Sequence, residues 1–275
     1  MKTFKQDIKK IILQDIDNVS YPFKEQHTKF LVEEKLIEEE LAQKYLESDK
    51  AYLIDYLMDA AKKGECTKTT TKNLREKYEE HAKKIKEMLK IKKLYREHET
   101  EEDLEIEAYF FATFEDFFSS KHYQEGIVKE IHELNKDIKN ENPEIHIIGI
   151  TARAAHIKTQ PEKYQYLTQL THNWNIKNEA GLKKIFFENK KINAYNEIKN
   201  MQEYKNKEII CFLEDDPRNV EDFLKEKIPC VLIHFSYHNH ELLVERLKKE
   251  YTNYLHIAKT PNDAKLIIKK LIQKQ

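Results

Sequence analysis

Long apolar runs are missing from this chain. Nowhere does it approach the roughly 18 consecutive apolar residues that a membrane-spanning helix needs. Behind the four lysines of the first ten residues, the run Ile11-Ile12-Leu13 is three residues long, too short for the core of a secretory signal. The expectation is a soluble, cytoplasmic protein with no membrane partner, with export by a route that uses no conventional signal left open. Cysteine is scarce too: Cys66, Cys211 and Cys230 are odd in number and widely spaced, which argues against a disulfide framework and fits a reducing compartment. Charge of one sign is also lacking, with 48 Lys and Arg against 49 Asp and Glu. Net charge therefore gives no footprint for nucleic acid or an anionic surface, local basic patches aside.

Between residues 24 and 118 there is one glycine and no proline, and Glu, Lys, Leu and Tyr dominate. That composition is helical. Leu36, Ile37, Leu41 and Leu46 recur near the helical period, as do Ile85, Met88, Leu89 and Lys92, the lysine stem extending the apolar face. The stretch from Gly64 to Thr71 reads as a connection between helices. Phe110, Phe111, Phe114, Phe117 and Phe118 form a single aromatic stripe, read as the core-facing side of one helix.

From about residue 122 the pattern changes to helices alternating with short apolar strands. Residues 145–150, 184–187, 209–213 and 231–235 read as strands, and with residues 9–14 they make five. The expected fold class is α/β: a Rossmann-like core around a mainly parallel five-stranded sheet, with helices on both faces. Ligands of such sheets bind beyond the carboxyl ends of the strands.

Chemistry-bearing residues gather at those ends. Asp15 and Asp17 follow the first strand, and at i and i+2 they share a face. Thr151-Ala152-Arg153 follows the second, Lys190-Lys191 precedes a helix, and Glu214-Asp215-Asp216 follows the strand at 209–213. Paired carboxylates can hold a hard cation and divide nucleophilic and acid/base duties. A hydroxyl, a lysine and further carboxylates, in that chain order, match what phosphoryl transfer through an aspartyl-phosphate requires.

In these segments the chain resembles the haloacid-dehalogenase-like (HAD) hydrolase superfamily. Asp15-Ile16-Asp17-Asn18-Val19 is similar to its first motif, DxDx(T/V), and Ile150-Thr151-Ala152-Arg153 to its second. Lys191 or its neighbour Lys190 is similar to the third-motif lysine, and Leu213-Glu214-Asp215-Asp216 to the acidic fourth. The resemblance implies a Mg²⁺-dependent phosphomonoester hydrolase. Asp15 would be the nucleophile and Asp17 the general acid and base, with Thr151 and Lys191 completing the catalytic set. Mg²⁺ would be held by Asp15, the Asp17 carbonyl and Asp215, with Asp216 or Glu214 as an additional ligand. Arg153, Ala152 and Asn18 are the candidate substrate-binding residues, and for Arg153 pairing with a surface carboxylate is an equal alternative. Lys191 is preferred over Lys190 because Ala194, Tyr195 and Ile198 follow it as an inward helix face. Strand alternation favours Asp215 within its triplet and turns Glu214 and Asp216 away, although turns break alternation.

Two positions depart from the family pattern: Gln14, commonly apolar there, and Ser20, frequently leucine. From Asp15 to Thr151 is 136 residues, so roughly 100 must be inserted after the first motif, where the superfamily places its helical C1 cap. The expected division is a core of residues 1–23 and 119–275 and a cap of residues 24–118. A small phosphorylated metabolite or nucleotide is the favoured substrate, ahead of a phosphoprotein, and the near-zero charge disfavours long nucleic acids. The competing expectation is a catalytically weak binding protein whose helical insertion docks a protein partner.

Overall fold

The computed structural model describes residues 10–50, 52–64, 71–92, 101–155, 158, 160–234 and 240–274. Cys66, most of the connection expected between Gly64 and Thr71, and Phe235 of the expected fifth strand lie outside them. Strand β1 (Lys10–Asp15) is followed by α1 (Phe23–Glu33), α2 (Glu39–Glu47), α3 (Leu53–Lys62), α4 (Lys72–Lys92), α5 (Glu101–Ala112) and α6 (Phe114–Ser119). Then come α7 (Lys129–Glu141), β2 (Ile145–Thr151), α8 (Pro161–Lys177), β3 (Lys184–Phe187), α9 (Lys191–Asn200), β4 (Glu208–Glu214) and α10 (Pro217–Lys225). The chain finishes with β5 (Cys230–Ile233), α11 (Glu241–Glu250), β6 (Leu255–Ala258) and α12 (Pro261–Gln273). Two compact units result: Met1–Pro22, Gln124–His234 and Leu242–Gln275 form one, Phe23–Tyr123 with Phe235–Glu241 the other. No helix among the described residues is long and apolar enough to cross a membrane.

The first unit is α/β and Rossmann-like. Its sheet runs β3-β2-β1-β4-β5-β6 and every pairing is parallel. The sheet has six strands where the sequence suggested five. The missed strand, Leu255–Ala258, is four residues long, lies at the sheet edge, and buries only its first and last residues. It therefore lacks the continuous apolar run that marks a central parallel strand.

Side-chain alternation along the central strands decides what reaches the site. Ile11 and Leu13 of β1, Ile148 and Ile150 of β2, Phe212 of β4 and Leu232 of β5 share one core cluster with α9, α10 and α11. Within it the Phe212 and Phe223 rings stack at 4.0 Å. Asp15 lies two residues beyond Leu13 and Glu214 two beyond Phe212, so period-two alternation sends both carboxylates out on this same face. Helix α12 packs on β4, β5, β6 and α7. Gly149 of β2 pairs with Gln14, and a Cβ there would come within 3.0 Å of Leu182 Cδ1.

The second unit is helical. Leu74, Tyr78, Ala82 and Leu89 are the buried side of α4, whereas Met88 is 50% exposed, so the apolar face expected through Met88 is rotated by about one residue. Nor do the phenylalanines form one helix. Thr113 separates α5 from α6, and its Oγ1 donates to the Phe110 carbonyl at 2.7 Å. The rings of Phe23, Phe30, Phe110, Phe114 and Phe117 surround the buried His27 imidazole at 5.0–6.3 Å. His27 Nε2 lies 2.9 Å from Thr113 Oγ1. The Thr113 proton is committed to Phe110, so the imidazole is the donor. Burial pushes the His27 pKa down to about 3, because the cage offers no counter-charge to an imidazolium.

Candidate active site

The carboxyl ends of three adjacent strands, β2, β1 and β4, carry Thr151, Asp15 and Glu214. After Asp15 the chain coils tightly. The Ser20 and Tyr21 amides donate to the Ile16 carbonyl at 2.9 and 2.7 Å, and Asn18 occupies the left-handed region at φ 56°, which asparagine tolerates better than most residues. A buried side-chain relay braces this coil: Gln14 Nε2 donates to Ser20 Oγ at 2.6 Å, and Ser20 Oγ donates to the Asp15 carbonyl at 2.8 Å. The two departures from the family pattern are thus hydrogen-bonding partners.

Lys191 is the hub of the site. It opens α9, is 6% exposed, and places Nζ 2.7 Å from Asp15 Oδ1 and 2.7 Å from Glu214 Oε2. Lys190 is exposed. Burial alone would lower the Lys191 pKa, but Asp15, Glu214 and Asp215 outweigh it and hold the ammonium well above the ordinary lysine range. Asp15 is raised well above the usual carboxylate range by burial and by Glu214, against the pull of Lys191. Burial, against Lys191 and with Asp215, lifts Glu214 to about 7. Glu214 Oε1 also accepts from the Asp215 and Asp216 amides at 3.0 and 3.2 Å.

Three carboxylates converge here. Asp15, Glu214 and Asp215 are buried, and one oxygen of each lies within 4.8 Å of the others; no second such group occurs among the described residues. Lys191 is one cation for three acidic groups, a shortfall that shows in the raised pKa values of Asp15 and Glu214. Hard oxygen donors with no sulfur or imidazole fit Mg²⁺ rather than a softer metal. Glu214, which strand alternation counted from Asp215 turns away but which stood beside Asp216 as a candidate additional ligand, belongs to this group. The signal that locates it is its i+2 spacing from the core residue Phe212.

The remaining candidates are placed differently from one another. The Asn18 amide donates to Asp215 Oδ2 at 3.1 Å, steadying a carboxylate of the trio. Asp216 caps α10, accepting from the Arg218 amide at 2.9 Å and from its guanidinium at 2.6–3.2 Å. Arg218 outweighs burial and holds the Asp216 carboxyl below its usual range. Asp216 therefore stands outside the trio. Thr151 is buried, and its Oγ1 accepts from the Arg153 amide at 3.1 Å, which leaves its own O–H as a donor. Ala152 is exposed beside it. Arg153 forms a fork on the carboxylate of Asp17, itself a candidate site residue, where the sequence left open a substrate phosphate or a surface carboxylate.

No known protein-family model matches the chain, and no curated protein matches it at a significant level. Among solved structures it is similar to a Thermotoga maritima protein provisionally named beta-phosphoglucomutase, at TM-score 0.45 and 12% identity over 95% of this chain and 99% of that one. It is also similar to a Bacteroides vulgatus protein with the same provisional name, at TM-score 0.43 and 14% identity over 98% of this chain and 91% of that one.

Proposed function

We propose that this protein is a Mg²⁺-dependent phosphomonoester hydrolase of the HAD type that works through an aspartyl-phosphate on Asp15. The observation that carries the reading is the hub itself: a buried lysine bridging Asp15 and Glu214, with Asp215 alongside, at the ends of adjacent strands. Lys191 occupies Asp15 Oδ1, which leaves Oδ2 to attack phosphorus in line. As the new O–P bond forms, the bond to the leaving oxygen breaks and Asp17 gives that oxygen a proton. Asp17 then takes a proton from a water whose oxygen attacks the phosphorylated Asp15, releasing inorganic phosphate and restoring the carboxylate.

The other side chains serve charge and orientation. Lys191 neutralises part of the repulsion between a carboxylate nucleophile and a phosphate dianion, and Thr151 donates its O–H to a phosphoryl oxygen. Asp15, Asp215 and Glu214 are the residues that would hold Mg²⁺, which when bound supplies further charge neutralisation at the phosphoryl group. The helical unit, inserted between β1 and β2, is read as the cap that selects among small phosphorylated metabolites or nucleotides. Replacing Asp15 with Asn should abolish hydrolysis of p-nitrophenyl phosphate, and chelation followed by Mg²⁺ should remove and restore it in the native protein. Undiminished turnover by the Asp15→Asn protein would refute the reading.

A further inference from the structure

The fork on Asp17 is a built feature. Arg153 Nε lies 2.9 Å from Asp17 Oδ1 and 3.1 Å from Oδ2, Nη2 lies 2.5 Å from Oδ1, and the arginine side chain is 1% exposed. Its guanidinium carbon sits 4.4 Å from the Tyr21 ring centre and 5.8 Å from that of Trp174. These two rings meet edge to face at 5.8 Å, and Trp174 Nε1 donates to the Gly126 carbonyl at 2.8 Å. The other end is fixed as well: Asp17 and Tyr21 are joined by a backbone bridge across the coil after β1. Asp17 itself remains 21% exposed on its side chain.

A planar, preorganised guanidinium in a bidentate grip fixes a carboxylate in rotation as well as in place. With 1% of its side chain exposed and the Tyr21 and Trp174 rings packed on one side of it, this guanidinium is withdrawn from solvent and from a substrate arriving through it. Oδ1 accepts two of the three contacts and Oδ2 only the longest, so Oδ2 is the oxygen left to carry a proton. We propose that Arg153 is a positioning residue, seated on Tyr21 and Trp174, that aims Asp17 Oδ2 at the leaving-group oxygen and makes no contact with the substrate phosphate. The inference rests on the hydrolase reading and goes beyond it, because it assigns Arg153 to the acid/base step instead of to binding.

The test uses the whole protein and two substrates, p-nitrophenyl phosphate, whose leaving group needs little protonation, and glycerol 2-phosphate, whose alkoxide needs it fully. The first bond-breaking step governs kcat/KM, so Arg153→Gln should lower it about tenfold or more further for the alkyl than for the aryl substrate, within the range that general acid catalysis contributes. Inhibition by inorganic phosphate should stay within about twofold, and adding Arg153→Gln to Asp17→Asn should cost no further activity, as expected of groups acting as a unit. Tyr21→Leu removes the platform but keeps the arginine, and should give the same pattern more weakly; it serves if Arg153→Gln does not fold. Equal losses on both substrates, weakened phosphate inhibition, or no loss in either variant would overturn the positioning role. A native protein without turnover, or an active Asp15→Asn variant, would instead sink the underlying hydrolase reading, and both are measured before any Arg153 variant.

Discussion

At the scale of single residues, the brace from Gln14 through Ser20 to the Asp15 carbonyl gives a sharp test. Ser20→Ala leaves the buried Gln14 amide without its acceptor, and Gln14→Leu leaves the hydroxyl without its donor. Ser20→Ala should destabilise by about 1–3 kcal/mol, the cost of stranding a buried polar group, and Gln14→Leu by less, because the Ser20 hydroxyl keeps its bond to the Asp15 carbonyl and the Gln14 carbonyl oxygen that is removed is buried without a partner. The double variant should lose less than the sum, since Gln14→Leu removes the very amide that Ser20→Ala strands. Urea unfolding of the four proteins measures this, and additive losses would show that the two side chains do not act together. Neither residue announces such a pairing in the sequence, because a six-residue separation across a coil has no period to betray it.

Other residues of the site were legible to different degrees. Lys191 could be told from Lys190 because Ala194, Tyr195 and Ile198 mark the buried side of α9. Glu214 could not be placed by counting from Asp215, since the turn after β4 breaks the alternation. Counting outward from Phe212 within the strand places it correctly. The grip of Arg153 on Asp17 joins residues 136 apart in sequence, and only folding reveals it.

At the scale of elements, the strands of the central sheet were readable because parallel strands buried on both faces are continuous apolar runs. Edge strand β6 was not, and the aromatic stripe was misread as one helix because period alone does not show that Thr113 spends its hydroxyl on Phe110. That break places Thr113 against His27. A neutral histidine held at a pKa of about 3 against about 6.5 when unfolded makes the unfolded state bind more protons between those values. Its contribution is fully present above pH 6.5 and is lost as pH falls toward 3, with a slope approaching about 1.4 kcal/mol per pH unit. The native protein should therefore lose more stability between pH 7 and pH 5 than His27→Gln does. Parallel pH profiles of the urea midpoint for the two proteins would contradict the buried, neutral histidine.

At the scale of the whole molecule, the order of the motifs along the chain carried more than any motif alone, because a parallel sheet brings the ends of β2, β1 and β4 together whatever the length of the insertion. The three buried acidic groups around one lysine offer more carboxyl oxygens than that one cation can serve, a set that a hard cation should bind in their ionised form. Mg²⁺ should raise the thermal midpoint by mass action, worth about 2.7 kcal/mol at a hundredfold excess over its dissociation constant. Asp215→Asn should reduce that shift, whereas Asp216→Asn, whose partner is Arg218, should leave the Mg²⁺-dependent part intact. Equal loss of the shift in both variants would contradict the assignment.

The most direct measurement is of the covalent intermediate. An Asp17→Asn protein, lacking the base for the second step, should accumulate phosphoryl groups when mixed with Mg²⁺ and p-nitrophenyl phosphate, whose departure needs little acid help. After acid quenching and proteolysis, mass spectrometry is predicted to place one phosphoryl group on Asp15. Turnover by the native protein with no phosphoryl group on Asp15, or with one at another residue, would contradict the account.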